Sequence, residues 1–60
     1  MRYLVVNLST EETSFEHYAK PENVIRYGLR KDKYPAGQYD IHAWPERGSI
    51  SAPVRAYKRA

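Results

Sequence analysis

The sequence predicts an α+β fold, a small antiparallel sheet with one packed helix, and three observations predict it. Three segments, "RYLVVNL", "SFEHYA" and "QYDIHAW", alternate their side chains with the period of a strand. A fourth, "PENVIRYGLRKDK", spaces its apolar residues as a helix does. Proline, glycine and short polar residues punctuate the joins. The order is strand, strand, helix, strand, and the closing "ISAPVRAY" adds an edge strand or an extended tail. One helix laid across the sheet is the plainest way to bury both apolar faces.

Each element has a local reason. In the first strand Leu4, Val6 and Leu8 alternate with Tyr3, Val5 and Asn7, so one face is buried and the other half covered. The polar "STEET" joins it to a second strand as a hairpin, with Phe15, His17 and Ala19 on one side and Glu16 and Tyr18 on the other. Pro21 suits the first helical turn, where its missing N–H has no partner to lose, and Glu22 meets the positive end of the helix dipole. The spacing predicts a helix over about Pro21 to Lys33, packing through Val24, Ile25, Gly28 and Leu29. Pro35 ends it. A turn on Pro35 and Gly37 launches the third strand, with Tyr39, Ile41 and Ala43 toward the helix and Asp40, His42 and Trp44 toward solvent. In the last segment Ile50, Ala52, Val54 and Ala56 share a side, and Pro53, which cannot donate to a ladder, restricts it to an edge.

Length and charge narrow the function. The reading is one small domain over residues 1–60, with a basic tail that is flexible from about residue 55. A chain of this size buries only about 60% of its unfolded surface and has little room for a deep pocket. Cysteine is absent, which excludes disulfides and thiolate metal sites. His17 and His42 are too few for a histidine zinc site. The longest apolar run, Leu4-Val5-Val6, is far short of a membrane span, so a soluble intracellular protein is expected. Net charge is −1 over residues 1–20, zero over 21–46 and +4 over 47–60. A basic C-terminus suits an acidic partner, either nucleic acid or protein, or serves as a solvated tail.

No catalytic constellation stands out, and no cofactor is implied. The glycines are too scattered for a phosphate loop, and no elbow motif frames Ser9, Ser14, Ser49 or Ser51. Asp40 and His42 lie two apart on one strand face, where a carboxylate could orient an imidazole. Two polar residues on a wet face is the plainer reading. Binding is the better prospect, because six tyrosines and one tryptophan are many for sixty residues. Tyr3 and Tyr39 are expected in the core, while Tyr18, Trp44 and Tyr57 are candidates for exposure.

"SFEHYAKPENVI", followed fifteen residues after Tyr18-Ala19 by "PAGQYDIHAWP", resembles the family of small RNA-polymerase inhibitors of T-seven-type coliphages. The resemblance covers roughly Thr10 to Pro45. It implies the same element order, and non-catalytic binding to a bacterial polymerase near the channel through which DNA enters, in the cytoplasm of a bacterial host. The family's contact arginines on the last strand fall on His42 and Trp44, so this sequence lacks both. Arg26, Arg30 and Lys31 largely replace the family's acidic helix residues.

The expectation is therefore a small binding protein that inhibits a host macromolecular machine. Its partner-binding residues would be Asp40, His42, Trp44, Arg47, Arg55, Lys58 and Arg59. Trp44 would anchor that surface, unless "ISAPVRAY" folds back and buries it. The alternative is a nucleic-acid-binding module that uses Arg26, Arg30, Lys31 and Tyr57 with the C-terminal cations.

Overall fold

The computed structural model describes residues 1–44 and 53–60. Among them, β1 (Arg2–Asn7), β2 (Thr13–His17), β3 (Gly37–Trp44) and β4 (Arg55–Arg59) form one antiparallel sheet in the order β2-β1-β3-β4. Between β2 and β3 comes a short helix, α1 (Pro21–Asn23), which continues into a π turn over Val24–Gly28. The expected α+β fold is present. No helix among the described residues is long and apolar enough to cross a membrane.

β1 carries no glycine or proline and, like β3, it is bonded on both edges, in its case to β2 and to β3. Its hairpin to β2 turns without glycine because Asn7 organises the connection. The Asn7 side-chain carbonyl accepts the backbone N–H groups of Ser9 at 2.9 Å and Thr10 at 3.2 Å. Glu11 takes a positive φ of 65°, a conformation that costs a non-glycine residue about 1–2 kcal/mol.

The helix is shorter than its apolar spacing predicts. The Leu29 N–H donates to the Val24 carbonyl at 2.9 Å, the wide closure of a π turn, and Leu29 then leaves helical geometry at φ −86° and ψ 66°. The helical stretch therefore ends at Gly28, not near Lys33. Its predicted face is largely right, since Val24, Gly28 and Leu29 are buried and Ile25 is half-buried. Glycine at position 28 permits a close approach to β2 and the residue after it, since a Cβ there would stand 3.0 Å from Tyr18 Cε2 and 3.3 Å from Glu16 Oε1 and those side-chain ends would have to shift. Gly37 opens β3 at φ +152°, outside the range of ordinary side-chain-bearing residues.

The core lies between the helical stretch and the sheet face that carries Tyr3, Val5, Tyr39 and Ile41, closed by Val24, Leu29 and Tyr34. Tyr3 and Tyr39 are core residues as expected. Tyr34, just after the helical stretch, joins them edge-on to Tyr39, with ring centroids 5.7 Å apart at 83°. The Tyr39 hydroxyl donates to the Pro35 carbonyl at 2.5 Å, pinning the start of β3 beneath the returning chain. Residues 55–59 are not a tail, because Arg55–Arg59 pairs with Gly37–Ile41 as the edge strand β4. Pro53 lies just outside that ladder. Ile50 and Ala52, assigned to the same side as Val54, lie outside the described residues.

Candidate functional site

Strand register builds the sheet face that the helical stretch leaves uncovered. Across β2, β1 and β3, His17, Arg2 and Trp44 form one row. Phe15, Leu4 and His42 form the next, and Thr13, Val6 and Asp40 the third. β4 adds Ala56 opposite Asp40 and Lys58 opposite Gln38. One end of this face is aromatic and cationic. The Phe15 and Trp44 rings meet diagonally across β1 with centroids 5.8 Å apart at 58°, and the Arg2 guanidinium sits 4.8 Å from the Phe15 centroid. Phe15 nevertheless stays 43% exposed. A ring that touches both a guanidinium and an indole yet remains exposed offers a partner an apolar contact.

The site residues expected from the sequence divide between the two faces. Asp40, His42, Trp44 and Lys58 share the open face, whereas Arg55, Tyr57 and Arg59 project toward the helix side. Arg47 lies outside the described residues. Trp44 is half-buried against Phe15, not freely exposed, and "ISAPVRAY" supplies β4 beside β3 from Arg55 onward. Tyr18 and Tyr57 are half-buried as well. The reading of His42 as a wet residue is corrected. Only 8% of it is exposed, and Leu4 lies directly opposite it in the sheet. Its Nδ1 is buried without a hydrogen-bond partner among the described residues. The alternative set is dispersed: Arg26 stands on the π turn, Arg30 pairs with Asp32 at 2.9 Å, Lys31 is exposed beyond it, and Tyr57 lies on β4.

Arg2 and Phe15 were not anticipated as site residues. The signal was available, because the alternation already put Phe15 on the His17 side of β2. What was missing was the register that lays this side beside Trp44.

The opposite face carries a polar network beside a cleft of about 150 Å³ lined by Val5, Asn7, Ser14, Lys33, Tyr34 and Tyr39. The Tyr34 hydroxyl donates to Glu16 Oε2 at 2.5 Å, and Lys33 Nζ donates to the same oxygen at 2.8 Å. The single phenolic hydrogen is thus spent on Glu16, so the Ser14 hydroxyl, 2.6 Å away, is the donor to Tyr34. Burial pushes the Glu16 carboxyl up, but the hydrogen bonds from Lys33 and Tyr34 outweigh it and hold the group below its ordinary value of 4.5. Burial, and then acceptance by Glu16, push the Tyr34 phenol above 10.0. The Lys33 ammonium is raised above 10.5, chiefly by its hydrogen bond to Glu16. At neutral pH every proton here is held tightly, so the network ties the segment after the π turn to β2 and offers Ser14 no base. Among the described residues, no three His, Cys, Asp or Glu side chains gather as a metal set.

No protein-family model matches this chain, and comparison with curated proteins and with solved structures gave no match.

Proposed function

We propose that this chain is a small non-catalytic binding protein of phage type. It inhibits a host enzyme by seating the Arg2, Phe15 and Trp44 end of its open sheet face against it. The observation that carries the reading is the tilted Phe15–Trp44 pair, with Arg2 over the Phe15 ring, on the face opposite the helical stretch. Aromatic and arginine side chains of this kind dominate the energetics of protein interfaces. The proposed target is bacterial RNA polymerase, approached near its DNA channel in the host cytoplasm. Its support is the resemblance over Thr10 to Pro45, together with the position of His42 and Trp44. These two positions, where the family has its contact arginines, project from one face of β3.

The test uses purified bacterial polymerase and a promoter-opening assay. The wild-type chain is expected to bind and to suppress opening. Trp44→Ala, checked for folding by its thermal transition, is expected to lose about 2 kcal/mol of binding, roughly thirtyfold in affinity. Full-strength binding by a folded Trp44→Ala removes the open face from the reading. Failure of the wild-type chain to bind removes polymerase as the target. Salt-sensitive binding to generic DNA in its place would favour the nucleic-acid alternative of Arg26, Arg30, Lys31 and Tyr57.

A further inference from the structure

We propose that the outer edge of β4 takes up an extended acidic protein segment as a further strand of the sheet. The strand order leaves β4 at one border, with no described strand beyond it. An open strand edge is a template for main-chain pairing, and side chains choose what may pair there. On β4 that choice has one sign. Its charged residues, Arg55, Lys58 and Arg59, are all cationic.

They also flank the edge from both sides. Arg55 and Arg59 lie on the helix side with Tyr57 between them, and Lys58 lies on the open face. Among the described residues, nearby acids answer this charge only weakly. Glu22 Oε1 is 3.9 Å from Arg55 Nη2, and Asp40 shares a face with Lys58 without forming an ion pair among the described contacts. The Arg59 guanidinium sits 5.9 Å from the Tyr57 centroid, and its Nε is buried with no hydrogen-bond partner among the described residues.

This arrangement discriminates between partners. A second copy pairing through β4 would set cations against cations across the new ladder, which destabilises it. A segment with carboxylates four residues apart and an apolar residue midway would place its acids opposite Arg55 and Arg59 and its apolar side chain against Tyr57. The edge thus rejects its own copy and selects an acidic strand.

The probe is an acetylated, amidated peptide, Thr-Glu-Thr-Val-Thr-Glu-Thr, titrated into the full chain at low salt and followed by amide NMR. Saturable shifts and slowed amide exchange centred on Arg55–Arg59 are expected, weakening as salt rises. Replacing both glutamates with lysine should abolish binding. Lys58→Glu, an exposed change that leaves the β3 pairing groups in place, should weaken it about tenfold. The decisive control is the same peptide N-methylated at the amides that would face β4. It keeps the charge and loses the ladder, so equal binding by this peptide would overturn strand addition. An absence of saturable shifts, or tighter binding of a single-stranded oligonucleotide at the same salt, would also overturn the proposal. The titration needs no polymerase, so its failure and that of the open-face reading are separate results.

Discussion

Glu16 shows what a single carboxylate does when register, not sequence proximity, chooses its partners. It receives Lys33 and Tyr34 from across seventeen and eighteen positions of chain. That depends on which side of β2 faces the returning segment, and no alternation pattern reports which distant residue arrives there. Tyr34→Phe is expected to cost about 1–3 kcal/mol, read as a lower urea midpoint at unchanged slope, because it leaves the Ser14 hydroxyl and one Glu16 contact unanswered. The network also sets a pH dependence. Folding lowers the Glu16 value, so its contribution is present above 4.5 and fades as pH falls through the folded value. Folding raises the Tyr34 value, so its contribution is complete below 10.0 and is lost as pH climbs through the folded value. The stability gap between the wild-type chain and Glu16→Gln should therefore be widest near neutrality and shrink toward acid. A gap that stays constant down to pH 2 would remove Glu16 from this role.

The elements were legible in proportion to how local their causes are. The three strands that alternation predicts are present, and Tyr39, Ile41 and Ala43 do face the helical stretch, because period-two alternation is a property of the segment itself. The helix was over-extended for a physical reason. Val24, Ile25, Gly28 and Leu29 fit a helical stripe, but a π turn lets Val24, Gly28 and Leu29 reach the sheet without a further turn of helix. Spacing alone does not separate the two geometries. Packing, not helix length, should then govern stability here. Leu29, buried though outside regular helix, is expected to cost about 2–5 kcal/mol on truncation to alanine, and half-buried Ile25 less. Chemical denaturation of the two variants checks the order, and the reverse order would restore a regular helix through Leu29.

At the scale of the whole molecule, the candidate site was half legible. Asp40, His42 and Trp44 were placed on one face by alternation, while Arg2 and Phe15 needed the pairing of β1 with two neighbours to bring them there. Arg55 and Arg59 were grouped with that surface by charge alone, and the ladder to β3 turns them to the other side. The same central position of β1 has a consequence for the way the chain acquires its shape. β1 and β2 pair across a short connection, so that hairpin closes early. The second edge of β1 must wait for β3, since Arg2 meets Trp44 and Asn7 meets Tyr39, partners 42 and 32 positions apart in the chain. Such distant pairing carries the loop-closure entropy before it gains contacts, and it places the chain among slow folders of its length. Refolding followed by Trp44 fluorescence in a stopped-flow mixer should thus run in roughly milliseconds to seconds. A microsecond relaxation would mean that β3 docks before the ladder to β1 is complete. On a ribosome, the first strand is made long before its second neighbour, and until Trp44 has emerged one edge of β1 stands open to any other strand that passes.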